Sequence, residues 1–140
     1  MILVSLVTGG CRVRIQDLPL LEDPHVCEIT ALREIIAGEN HLVRKEFANG
    51  RVSAPFYLLV RICDVEGAGT ARISLYKEEG ERLHDTFFPF GETGFFYSHI
   101  ICYQRLTSLA PGRYRVAVFL NDQLLDERPL QVFSAAADSS

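Results

Sequence analysis

The chain has 140 residues, 48% of them hydrophobic, and a formal net charge of −4. That length and apolar fraction predict one globular domain with a core of its own and exclude a disordered chain. The acidic balance, with 14 basic residues spread singly, excludes the basic stripe of a nucleic-acid binder. No apolar run reaches the ~18 residues of a membrane-spanning helix, so no membrane partner is expected.

The opening MILVSLVTGG lacks the basic residue and the long apolar stretch of a secretory signal. The expected location is therefore the cytoplasm. The four cysteines (Cys11, Cys27, Cys63 and Cys102) are widely spaced among apolar neighbours and read as buried thiols. ILVSLV is rich in β-branched residues. CRVRIQD (11–17) alternates, with Cys11, Val13 and Ile15 on one face and Arg12, Arg14 and Gln16 on the other. Thr8-Gly9-Gly10 can close these two segments into a hairpin. Residues 18–25, with Pro19 and Pro24, predict a loop.

VCEITALREIIAG (26–38) fits two patterns. Val26, Ile29, Leu32 or Arg33, and Ile36 keep a helical period, with Gly38 as a C-cap. Its β-branched residues suit a buried strand, which is the preferred reading. Residues 39–55 are polar and read as a connection, with room for one short helical turn near 39–48 and a turn at Asn49-Gly50.

From residue 56 the pattern is regular. FYLLVRICD is apolar on both faces, as in a central strand packed on each side. ARISLYKE sends Ala71, Ile73 and Leu75 inward. RLHDTFFPF, FFYSHIICYQRL, RYRVAVFL and QLLDERPLQVF follow as strands. Asn121-Asp122 tolerates positive φ and predicts a tight hairpin. Pro129 cannot donate a ladder bond, so the last strand lies at an edge or is interrupted there. Residues 1–133 form one domain in this reading and 134–140 a flexible tail. Seven or eight strands at roughly 10-residue spacing predict an antiparallel β-sandwich.

LAPGRYRVAV (109–118) carries the most specific scaffold signal. Pro111 fixes one backbone angle, Gly112 permits a bend, and Tyr114 opens a strand whose inward row continues with Val116, Val118 and Leu120. The motif resembles the tyrosine corner of fibronectin type III and related immunoglobulin-like domains. More broadly, residues 56–133 resemble small bacterial immunoglobulin-like domains that end in G-x-Y-x-V-x-V-x-L, a turn, and P-L-x-V. The resemblance implies an immunoglobulin-like fold, a strand rather than a helix at 27–36, and no catalytic residues.

Candidate chemistry is sparse. His25 and Cys27 are the one local pair of metal-ligand types, and zinc would need further ligands brought in by folding, from Cys11, Cys63, His84, His99 or Cys102. Cys63 or Cys102 could pair with His84 or His99 and Asp85 as a nucleophile set, but both cysteines sit in strand-like surroundings. VEGAGT lacks the lysine of a phosphate-binding loop. Glu78-Glu79 and Asp126-Glu127 fall in turns or near strand ends. The unusual local density is FFPFGETGFFYSH (87–99). Alternation would bury about half of its aromatics, and the remainder offer a contact surface, with Phe88, Phe90, Phe95 and Tyr97 as the candidate contacts. The expectation is a non-catalytic module acting through a protein partner or self-association, with no cofactor or metal. The competing expectation is a small-molecule or metal-binding domain, with enzymatic activity as an option, using Cys and His side chains.

Overall fold

A computed structural model describes residues 2–6, 9–15, 23–38, 42–91 and 98–134, the first two segments by backbone course alone. Eleven strands lie among these residues: β1 (Ile2–Leu6), β2 (Gly9–Ile15), β3 (His25–Leu32), β4 (Glu34–Ala37), β5 (Leu42–Lys45), β6 (Phe56–Val65), β7 (Gly69–Lys77), β8 (Arg82–Phe90), β9 (Ser98–Leu106), β10 (Gly112–Leu120) and β11 (Gln123–Val132). The chain is all-β; the only helical element among the described residues is a 3-10 turn at Ala48–Gly50. No described helix is long and apolar enough to cross a membrane.

Every strand pairing among the described residues is antiparallel. The strands form a five-stranded sheet in the order β1-β2-β9-β6-β3, a four-stranded sheet in the order β11-β10-β7-β8, and the β4-β5 hairpin. One buried cluster draws on both larger sheets. Phe56, Leu58, Val60, Ile62, Ile100 and Cys102 enter from the first, and Ile73, Leu75, Phe88, Val116 and Val118 from the second. Burial of these side chains supplies the main driving force, about 1.5–3 kcal/mol for each large one.

The double-sided apolar character of β6 has a direct cause. Its even-numbered residues from Phe56 to Ile62 enter the shared core, while Leu59 joins Leu32, Ile35 and Tyr103 in a second buried cluster on the sheet's other face. Leu42 packs on that cluster, so the β4-β5 hairpin covers part of this face. Arg44 reinforces the lid by bonding the Glu28 carboxylate, which also accepts from Thr30 Oγ1 at 2.8 Å.

Three sequence readings change here. Segment 26–38 is extended, but it breaks at Arg33, whose N–H donates to the Lys45 carbonyl at 2.8 Å. The connection at 39–55 contains β5, a four-residue strand too short and too basic (LVRK) to show an apolar alternation. The helical turn falls at 48–50, where Asn49 and Gly50 both take positive φ.

The expectation of four thiols is also corrected. Cys27 and Cys63 form a disulfide, with Cα atoms 6.0 Å apart. The two residues are 36 apart in sequence, and nothing in that spacing points to the bond. A register shift between Val26 and Glu28 sets Cys27 as an extra residue in β3 against β6. Cys102 is fully buried, and backbone register places Cys11 opposite it.

Between β9 and β10 the chain passes from the five-stranded to the four-stranded sheet. Tyr114 is 6% exposed and its hydroxyl donates to the Ala110 carbonyl at 2.5 Å, within this crossing. Asn121 and Asp122, with φ of 48° and 69°, close the β10-β11 hairpin. β11 has no second neighbour in its sheet among the described residues, which accommodates Pro129.

Candidate functional site

The outer face of the four-stranded sheet follows from strand alternation. Ala71, Ile73 and Leu75 point inward along β7, so Arg72, Ser74 and Tyr76 point outward. Val116 and Val118 do the same for β10 and turn Arg115, Ala117 and Phe119 out. Strand register then assembles rows across the sheet. One row runs Phe87–Arg72–Phe119–Leu124, and the next runs Asp85–Ser74–Ala117–Glu127. A third carries Arg82, Tyr76, Arg115 and Pro129.

The first row is the most distinctive feature of the described surface. Phe87 is 54% exposed and Leu124 51%, and they flank the row on the two edge strands. Between them the Arg72 guanidinium lies 4.6 Å from the Phe119 ring centroid and 5.5 Å from that of Phe87. Both distances fall within cation–π range. Arg115 repeats the arrangement over Tyr76 at 5.4 Å.

Carboxylates hold these guanidinium groups in place. Arg72 Nε donates to Asp85 Oδ1 at 2.6 Å, Ser74 Oγ donates to the same oxygen at 2.6 Å, and Arg82 lies 3.5 Å from Oδ2. Arg115 donates to Glu127 at 2.7 Å. Burial acts to raise the Asp85 pKa. The hydrogen bonds from Arg72 and Ser74 and the charges of Arg72 and Arg82 outweigh it, holding the carboxyl below the ordinary aspartate value. Glu28, on the other sheet, is lowered in the same way: burial opposes, while Arg44, Thr30 and Arg61 prevail.

These depressed values set a pH dependence. A carboxyl that is more acidic when folded binds fewer protons in the native state than in the unfolded one. Its contribution is therefore complete above the unfolded value of about 4 and is lost as pH falls through the lower folded value. Urea melts should show a stability that falls below about pH 4.5. Asp85→Asn should reduce stability at pH 7 and flatten part of that acid limb. An acid limb identical in wild type and variant would remove Asp85 from the account.

The sequence-level contact residues fare differently from one another. Phe88 and Phe90 are 6% and 9% exposed and belong to the core, so they leave the candidate surface. Phe95 and Tyr97 lie outside the described residues. Phe87, Arg72, Phe119 and Leu124 stand outside the set that the sequence offers. The alternation of ARISLYKE and RYRVAVFL does mark Arg72 and Phe119 as outward, but FFPF is apolar at both parities and hides which phenylalanines face solvent.

His25 stands opposite Cys63 in the β3-β6 ladder, but the two nearby cysteines are not free to bind a metal. Cys27 and Cys63 are joined to each other, and His25 Nδ1 lies 3.0 Å from the Asp23 carbonyl and 3.7 Å from Asp64. Asp85 is engaged by Arg72 and Ser74. Among the described residues no three His, Cys, Asp or Glu side chains gather as a metal-binding group. Compared with protein-family models, curated proteins and solved structures, the chain matches none.

Proposed function

We propose that the chain is a non-catalytic, immunoglobulin-like β-sandwich module that binds a protein through the outer face of its four-stranded sheet. Two features support the fold reading. The neighbours β3-β6-β9 and β11-β10-β7 reproduce the division of strands A, B, E and C, F, G between the layers of such domains. Tyr114 also stands near the start of the strand equivalent to F, with its hydroxyl bonded back into the crossing.

The observation that carries the functional reading is the Phe87–Arg72–Phe119–Leu124 row. Aromatic side chains and arginine are enriched at protein interfaces, and they dominate binding energy there. Asp85 pre-orders Arg72, which lowers the entropy lost on contact. The Cys27–Cys63 disulfide favours an oxidising compartment over the expected cytoplasm.

A photo-crosslinking amino acid placed at Leu124 in the native cell tests this reading. It should capture a protein, and Phe87→Glu should abolish the adduct. The same probe at Val43, an exposed apolar position on the β4-β5 hairpin, should capture little. Equal capture from both positions would count against the four-stranded face.

A further inference from the structure

We propose that the Cys27–Cys63 bridge is a thiol-exchange site that a dithiol reductant opens in the folded protein, with Cys27 attacked and Cys63 leaving beside His25. The site lies on the five-stranded sheet and does not depend on the contact-module reading. Val26 and Ile62 are register partners and both enter the shared core, so the adjoining pair, His25 and Cys63, turns to the sheet's other face. Both strands are irregular at this point. β3 takes up Cys27 as an extra residue, and the register of β6 on β9 shifts between Ile62 and Val65. Asp64, inside that second irregularity, holds a φ of 60° with its side chain 5% exposed. Residues other than glycine seldom adopt this left-handed backbone, and those that do gather at functional sites.

The surroundings of the bridge suit exchange. It joins strands that already share seven register pairs, so the sheet order can survive its opening. Cys27 is partly exposed, on a strand with one neighbour among the described residues, whereas Cys63 is 7% exposed. Cys27 is thus the more open of the two to an incoming thiolate. His25 supplies the acid. Its imidazole is about half exposed, and Nδ1 lies 3.0 Å from the Asp23 carbonyl oxygen and 3.7 Å from Asp64 Oδ2. Both neighbours accept, so Nδ1 carries a hydrogen and Nε2 is the nitrogen left to exchange a proton. Asp64 is a positioning residue that steadies the ring. Cys27 Sγ lies 3.5 Å from the Arg61 carbonyl oxygen, which can accept from the thiol once the bridge is open.

The exchange balances in two steps. One thiolate of the reductant bonds to Cys27 Sγ, and the bond between the two cysteines breaks with its electron pair on Cys63 Sγ. That sulfur takes the proton held by His25, which solvent restores. The second thiolate of the reductant then attacks its own sulfur in the mixed disulfide and releases Cys27, which takes a proton from water. The protein gains two electrons and two protons, and the reductant closes as a disulfide.

Native protein in excess dithiothreitol, quenched with an alkylating reagent and mapped by peptide mass, tests the proposal. Reduction should run faster than the unfolding rate extrapolated to the same buffer. Its rate should depend on urea more weakly than global unfolding does, because only local opening is needed. A pulse of glutathione should leave glutathione on Cys27 and the alkyl label on Cys63. His25→Gln should slow the reduction at least tenfold. Asp64→Asn keeps a residue that tolerates positive φ and should slow it as well, and the double variant should be no slower than His25→Gln alone. Each rate is compared with that variant's own unfolding rate, so lost stability cannot pass for a lost acid. Reduction held to the rate of global unfolding would overturn the proposal and make the bridge a sealed staple. Glutathione on Cys63, or an undiminished rate in His25→Gln, would overturn the assigned roles. Additive losses in the double variant would overturn the action of Asp64 through His25.

Discussion

Tyr114→Ala is expected to cost about 3–5 kcal/mol, a large part of the stability of a domain this size. The ring is buried in the shared core beside the inward row of Val116 and Val118, so truncation removes apolar contact and leaves a cavity. The hydroxyl contributes separately through its bond to the Ala110 carbonyl. Ala110 is exposed, so that carbonyl can turn to water once the phenol is gone. Tyr114→Phe should therefore cost only the net value of one hydrogen bond, about 0.5–1.5 kcal/mol. Arg113 points outward and lies 3.8 Å from Glu78 with both side chains mostly exposed, so Arg113→Ala should change stability by about 0.5 kcal/mol or less. Denaturant melts of the three variants read these differences directly. A Phe variant as stable as the parent would make the tyrosine ordinary core filler, and the corner would then carry no energy of its own.

How much of this is legible in the sequence depends on the segment. Where charged residues mark one parity, as in ARISLYKE and at the start of RYRVAVFL, strand, inward face and outward face all follow from alternation. The Asn121-Asp122 turn and the edge position of β11 follow from φ preference and from the missing N–H of Pro129. FFPF is opaque because both parities are apolar, and only the packing of β8 on β7 decides that Phe88 goes in and Phe87 out. The β4-β5 hairpin is hidden for a related reason. Its strands have four residues each, and its members in the second buried cluster are Ile35 and Leu42, one on each strand. The candidate site is the least legible part, because Phe87, Arg72, Phe119 and Leu124 come from four different strands and meet only through register.

The remaining large effect belongs to the disulfide. A bridge closing a loop of 36 residues removes enough freedom from the unfolded chain to stabilise the fold by about 4 kcal/mol in the chain-entropy treatment. Cys27 and Cys63 lie on paired strands of one sheet, so the ladder of β3 on β6 can form with or without the covalent link. The double variant Cys27→Ser/Cys63→Ser should therefore fold to the same sheet order but melt at lower denaturant, with a loss of about 2–4 kcal/mol. Wild-type protein in excess thiol reductant should melt with it. Alkylation of the unfolded protein without reductant should leave Cys27 and Cys63 unlabelled, and labelling of both would remove the bridge from the account. The loss should also be uneven in space. Among the described residues β3 is an edge strand that pairs with β6 alone, and the bridge secures it near the bulge that follows Val26. Amide exchange should accelerate most along β3 after reduction, because fraying of an edge strand needs only local opening. The β10 amides, in a central strand of the other sheet, should slow or quicken only with global stability. Equal acceleration in both strands would mean that the disulfide acts on the whole domain and holds no particular strand.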